Sequence, residues 1–104
     1  MAGFFEQAKQ ALELRNKMKR LQREVEAMTK KYENGGIRVV VTGDMTVKAV
    51  EVSDKSLLDP AKEDKLVRTF MDNVNKALRL AKDAGQERMK ALSKELGLGG
   101  MLGG

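Results

Sequence analysis

Lysine and arginine are the side chains of this sequence best able to do chemistry, and they outnumber the acidic residues by 20 to 15. The chain has no histidine and no cysteine, which excludes imidazole bases, thiolate nucleophiles and His/Cys metal sites. Carboxylate, lysine and hydroxyl chemistry remain for an enzyme. The formal charge of +5 over 104 residues favours a polyanionic partner.

Three features could serve catalysis, and each has a simpler structural explanation. Glu63 and Asp64 lie where a helix is predicted to begin, and acidic side chains there interact favourably with the helix dipole. Gly35-Gly36 fits neither glycine-rich phosphate motif, and Lys48 lies in a predicted strand, where it is expected to face solvent. We therefore expect no enzyme activity, no cofactor, no metal and no small-molecule substrate.

Basic residues of the first helical pattern gather on one side of a helical wheel. Lys9, Arg20, Arg23 and Lys30 fall within an arc of about 80°, at 100° per residue, and Lys19 lies at its edge. The arc is opposite an apolar seam, so we expect these cations to face outward. A second basic group occupies the C-terminal half of the next helical pattern and comprises Arg79, Lys82, Arg88, Lys90 and Lys94.

Such basic surfaces suit the phosphates of double-stranded DNA, which attract Lys and Arg whatever the base sequence. The sequence has only four aromatic residues and no helix-turn-helix or zinc-finger spacing, so we expect weak sequence specificity. The alternative is a helical protein-interaction adaptor without direct DNA binding, in which the positive charge serves solubility. The residue pattern leaves both functions open.

Two amphipathic helices are predicted to carry these cations. Up to about residue 30, apolar residues recur at spacings of three and four, including Leu14, Met18 and Leu21. Between about 60 and 96, Asp59 and Pro60 start a second helix. Its apolar stripe comprises Leu66, Phe70, Val74, Ala77, Ala81 and Ala84, and Gly85 lies within the pattern as a possible bend or division.

The centre of the chain, to about residue 53, is predicted to be β-rich. Asn34-Gly35 predicts a hairpin turn, and residues 37–42 and 47–52 predict strands on either side of a turn at Gly43-Asp44. Residues 28–33 either end the helix or form another strand. Apolar side chains point to both faces of these strands, so we expect the helices to cover one face and a second subunit the other. Candidates for core or subunit interface are Leu14, Met18, Leu21, Val40 and Val50.

We expect one domain over residues 1–96 and a flexible glycine-rich tail over residues 97–104. No apolar run approaches the roughly 18 residues of a membrane span, and the N-terminal residues lack the pattern of a signal peptide. The sequence therefore predicts a cytoplasmic protein that does not interact with membranes.

Three short blocks carry a resemblance to a known family. Gly36–Gly43, Val50–Val52 and Ser56–Leu58 are similar to the G-x-V-x-V-x-x-G, V-x-I and S-L-L elements of the YbaB/EbfC family of bacterial nucleoid-associated proteins. Asn75-x-Ala77 resembles the N-x-A element of that family.

The resemblance implies an α+β fold in the order α-β-β-β-α, with a small antiparallel sheet and two long helices. It also implies an intertwined homodimer whose helices project like tweezer arms. The implied function is binding of double-stranded DNA in the nucleoid, with effects on nucleoid organisation and gene expression.

Overall fold

The computed structural model describes residues 2–95, and the element order α-β-β-β-α is confirmed. Two short 3-10 turns, Lys55–Leu58 and Pro60–Lys62, precede the second helix. The elements are α1 (Ala2–Ala27), β1 (Thr29–Asn34), β2 (Ile37–Thr42), β3 (Val47–Val52) and α2 (Glu63–Glu95). Residue 1 and residues 96–104, with the expected glycine-rich tail, lie outside the described part.

Residues 29–34 form a strand, which decides between the two alternatives for this segment. β1 pairs antiparallel with β2 along its whole length, from Thr29 opposite Thr42 to Asn34 opposite Ile37. Helix α1 therefore ends at Ala27, shortly before the predicted limit of about residue 30, because the tight turn after Asn34 aligns residues 29–34 with β2. Lys30 lies in β1, opposite Val41, and not on the basic arc of α1.

The turn between β1 and β2 is centred one residue later than predicted. Gly35 and Gly36 have φ of 62° and 91°, whereas Asn34 is the last residue of the strand ladder. Both central residues of a type I′ turn need positive φ, which glycine adopts without steric cost. The amide of Asn73, on α2, donates hydrogen bonds of 2.8 Å to the carbonyl oxygens of Asn34 and Ile37 and so fixes this turn to the helix.

The core forms where α2 crosses one face of the β1–β2 hairpin. Ile37, Val39 and Val41 are fully buried, and they pack with Ala77 and Ala81 of the helix. The two alanines have short side chains, so the helix can lie close to the sheet. Alternate residues of β2 therefore form the centre of the core, as expected for a strand with one face covered.

The predicted apolar stripe of α2 is only partly the buried face. Ala77 and Ala81 are buried and Leu66, Val74 and Ala84 are half-buried, but Phe70 is exposed. The polar Asn73 occupies a buried position instead, because it bonds to the hairpin. Gly85 neither ends nor divides α2, which continues to Glu95.

Strand β3 continues the core-facing side of the sheet beyond the area that α2 covers. Val47 and Val50 are paired with Val41 and Val39, so they point to the same face. They are nevertheless 40% and 41% exposed. Val50 is therefore not a core residue of the single chain, and Val40, on the opposite face, is half-buried.

Helix α1 packs antiparallel on the C-terminal half of α2. Val25 lies against Gly85, and Glu24 lies against Arg88. Residue numbers therefore decrease along α1 in the direction in which they increase along α2. Gly43 joins the end of α1 to the sheet, since its N–H donates a hydrogen bond of 2.8 Å to the carbonyl oxygen of Met28. A Cβ at position 43 would overlap the carbonyl oxygen of Val25.

The N-terminal part of α1 extends beyond the described end of α2. Leu21 is buried and Leu14 and Met18 are half-buried, whereas Phe4 and Phe5, further along, are largely exposed. The chain consequently measures 75 × 22 × 16 Å, with a radius of gyration of 20.3 Å. A compact chain of this length has a radius of about 13 Å. Within residues 2–95, neither helix is long and apolar enough to cross a membrane.

Candidate nucleic-acid interface

Five basic side chains occupy ten consecutive residues in the middle of α1. Residues 14–23, which we call the α1 basic segment, contain no carboxylate. All five cations are exposed, and their positions spread over an arc of about 200° at 100° per residue. They are Arg15, Lys17, Lys19, Arg20 and Arg23.

Helical periodicity positions these side chains around the outside of α1. Leu14, Met18 and Leu21 form the side of the segment that turns toward α2, and the intervening residues must point elsewhere. Since Leu21 is buried in the helix pair, the rotation of α1 about its axis is fixed. The cations are therefore presented on the surface of a helix rather than on a loop.

Acidic residues confine the positive charge to this segment. Glu6 and Glu13 precede it, and Glu24 and Glu26 follow it. Lys9 lies in the acidic N-terminal part of α1, in a shallow surface groove with Glu6, Gln10 and Glu13. Of the cations predicted on α1, the structure brings together Lys19, Arg20 and Arg23 but separates Lys9 from them.

Lys30 does not belong to this surface. It is half-buried in β1, and it is paired with Val41, whose side chain lies on the face covered by α2. Sequence reasoning also missed Arg15 and Lys17, because it grouped residues by wheel angle. The signal that could have found them was the absence of any acidic residue between positions 14 and 23 in the sequence.

The predicted cations of α2 separate into two groups. Arg79, Lys82, Lys90 and Lys94 are exposed. Arg88 is half-buried and is directed at α1, where its Nε and Nη2 atoms donate to Oε1 of Glu24 at 2.9 and 2.6 Å. Lys90 and Lys94 are more than 100° around the helix from Arg88, so they face away from α1.

The carboxylates of the loops serve local structure. Asp54 accepts hydrogen bonds from the hydroxyl and from the backbone N–H of Ser56, and these bonds lower its pKa from the ordinary value of 3.8. Hydrogen bonds from Thr42 and Thr46 likewise lower the pKa of Asp44. Carboxyls stabilised in the ionised form are poor proton donors at neutral pH. Among residues 2–95, no three Asp, Glu, His or Cys side chains come together to hold a metal ion.

The α1 basic segment has the charge and size for a nucleic-acid groove. A helix with its side chains is about 10–12 Å wide, close to the roughly 12 Å of the major groove of B-DNA. Side chains on several sides of such a helix could reach the phosphates of both strands, since Lys and Arg are long and flexible. The surface offers no exposed aromatic within the segment for stacking on bases.

Comparison with known proteins identifies a family of DNA-binding proteins. A sequence model of the YbaB/EbfC DNA-binding family matches residues 1–96. The chain is similar to a nucleoid-associated protein of Afipia carboxidovorans, at 38% identity over 97% of both chains. It is also similar to nucleoid-associated proteins of Nitrobacter hamburgensis, at 37% identity over 94% of this chain and 93% of the relative, and of Rhodopseudomonas palustris, at 38% identity over the same shares.

Proposed function

Because the chain belongs to the YbaB/EbfC DNA-binding family, we propose that it is a nucleoid-associated protein that binds double-stranded DNA mainly through phosphates, with weak sequence specificity. In this role it affects nucleoid organisation and gene expression. The observation that carries the proposal is the α1 basic segment, with five exposed cations and no acidic residue in ten positions. Family membership supports DNA as the partner, and the α1 basic segment supports contact through its phosphates.

Phosphate contact follows from the kind of side chains in the segment. Lys and Arg that neutralise phosphates release condensed counterions, so binding weakens steeply as salt rises. Each phosphate contact contributes a slope of about 0.9 in log K against log salt concentration. With five cations in the segment, the slope for one chain would be at most about 4.5 from this surface.

The bound form that we propose is a homodimer. The chain exposes 7818 Å², about 2000 Å² more than the roughly 5800 Å² expected of a compact chain of its mass. Part of this surplus is apolar surface on β3 and the N-terminal half of α2, including Val47, Val50 and Phe70. A stable interface buries about 1,200–2,000 Å² in total, or roughly 600–1,000 Å² per partner, so a second copy could cover part of this surface. The dimer would carry two α1 basic segments.

The test measures duplex binding across a salt series. Fluorescence anisotropy of a labelled duplex of mixed sequence gives the affinity at each salt concentration. In the double variant Arg20→Gln, Arg23→Gln, we expect the slope to fall by about 1.8 per chain, since two phosphate contacts are removed. The affinity should fall by a similar factor for duplexes of unrelated sequence.

A matched variant separates local contact from net charge. Lys31→Gln combined with Lys55→Gln removes the same charge from exposed positions outside α1 and outside the proposed dimer surface, and the slope should change little. An equal effect of the two variants would show that the α1 basic segment has no special role. If the wild-type chain does not bind duplex even at low salt, the adaptor function would be favoured, and the exposed Phe4 and Phe5 would be its first candidate contacts.

A further inference from the structure

Arg88 is the one basic residue of the predicted DNA-binding set that a carboxylate holds, within the part of the chain that the structure describes. Its Nε and Nη2 atoms both donate to Oε1 of Glu24, at 2.9 and 2.6 Å. Two charge-assisted hydrogen bonds to one oxygen engage the side of the guanidinium that would grip a phosphate.

The position of this ion pair relates it to the α1 basic segment. Glu24 follows the segment directly, and it lies one helical turn from Arg20 and two turns from Lys17. Arg88 reaches the same side of α1 from the neighbouring helix. The order along this side is therefore Lys17, Arg20, and then the carboxylate with Arg88 beside it.

We propose that Glu24 withholds Arg88 from DNA and so limits the affinity of the α1 basic segment for phosphate. The inference rests on the proposed function. A carboxylate and a phosphate compete for the same donor groups of an arginine. In the free chain the carboxylate is already in place, so DNA would have to displace it and would also meet the negative charge of Glu24 itself.

The pair is accessible enough for this competition to matter. The Arg88 side chain is 42% exposed and the Glu24 side chain is 48% exposed, so neither is sealed in the helix interface. Removing the carboxylate should leave Arg88 beside Lys17 and Arg20, on a surface without an intervening negative charge. The α1–α2 contact would still be held by Val25 and Gly85, which lie next to the ion pair.

A double-mutant cycle tests the inference through the salt dependence of duplex binding. Glu24→Gln keeps an oxygen that accepts a hydrogen bond but removes the charge, and we expect the slope to steepen by about 0.9 per chain because one more phosphate contact forms. Arg88→Gln alone should leave the slope unchanged, since Arg88 does not contact DNA in the wild type. In the Glu24→Gln background, Arg88→Gln should remove the gain.

The control is Glu26→Gln, which removes one negative charge from the same end of α1. Glu26 accepts a hydrogen bond from Gln22 at 3.3 Å and holds no arginine. We expect it to raise the affinity slightly, through net charge, without steepening the slope. Circular dichroism and thermal unfolding of each variant would show that the helices remain formed.

The outcomes separate this inference from the proposed function. If the wild type binds duplex but Glu24→Gln has an unchanged slope, only the role of Glu24 is refuted. The same holds if Arg88→Gln lowers the slope equally in both backgrounds, because Arg88 would then contact DNA already. If none of the variants and not even the wild type binds duplex, the proposed function fails as well.

Discussion

Asn73 is a single side chain that connects two elements of the core. It is 1% exposed, and its amide nitrogen donates to two carbonyl oxygens of the hairpin, one before and one after the Gly35-Gly36 turn. Buried polar groups of this kind fix one arrangement of an apolar core, because a shifted register would leave them unpaired.

We predict that Asn73→Ala lowers the free energy of unfolding by about 1–3 kcal/mol, since two hydrogen bonds between α2 and the hairpin are lost. Urea unfolding followed by circular dichroism measures the change. Asn75→Ala is the matched control, because Asn75 is exposed two residues along the same helix and should change stability by less than about 0.5 kcal/mol. Equal losses for the two variants would show that the hydrogen bonds to the hairpin contribute little.

At the scale of elements, α1 and the turn after β2 lie too close together at Gly43 to leave room for a side chain. Gly43 has no positive φ, so the residue is needed for space and not for its backbone conformation. A methyl group there would meet the backbone of Val25, which cannot rotate away as a side chain could. The direction in which α1 leaves the sheet therefore depends on this glycine.

Gly43→Ala should destabilise the chain by about 1–3 kcal/mol, the usual cost of forcing extra volume into a packed contact. The control is Gly3→Ala, where a Cβ would have no neighbour within 4 Å, and where alanine should be neutral or mildly stabilising. Thermal unfolding of both variants measures the difference. If the Gly43→Ala variant were as stable as the wild type, α1 would be able to shift away from the turn without loss of free energy of unfolding.

The elements illustrate what the sequence could and could not predict. The β2 and β3 strands and the basic character of both helices could be predicted, because each depends on residues close in sequence. Asp59 does act as a cap, but it caps the 3-10 turn Pro60–Lys62, and α2 itself begins only at Glu63. The boundary between α1 and β1 was not readable, since residues 29–34 become a strand only through pairing with β2. The buried position of Asn73 and the exposure of Phe70 were equally hidden, because both depend on where the hairpin meets α2.

For the candidate interface, too, local features could be predicted from the sequence and contacts between elements could not. The cluster of Lys19, Arg20 and Arg23 was predictable from helical spacing alone. The engagement of Arg88 by Glu24 was not, because 64 positions separate the two residues and only the packing of α1 on α2 brings them together. Lys30 was misplaced because α1 ends at Ala27 and pairing with β2 makes residues 29–34 a strand.

At the scale of the whole molecule, we predict a homodimer with twice the chain mass of 11.5 kDa. Light scattering at micromolar concentration should give that value, since the exposed apolar surface of β3 and α2 would otherwise remain in water. Val50→Asp should shift the mass toward the monomer, because a carboxylate on this surface would have to be buried at the interface.

Lys31→Asp serves as the comparison for Val50→Asp. It places the same side chain on an exposed position of β1, the opposite edge of the sheet, where the dimer mass should be retained. A monomer mass for the wild type would refute the dimer without affecting DNA binding by the single chain. Loss of the dimer in both variants would indicate an interface that includes β1.

The elongated shape has a consequence for how many molecules a stretch of DNA can accept. The long axis of 75 Å corresponds to about 22 base pairs at a rise of roughly 3.4 Å, or two turns of the duplex. The width of 22 Å corresponds to only about six base pairs. A protomer whose long axis lies along the duplex would thus occlude more than three times the length occluded by one lying across it, so the saturating number of protomers per base pair depends on this orientation.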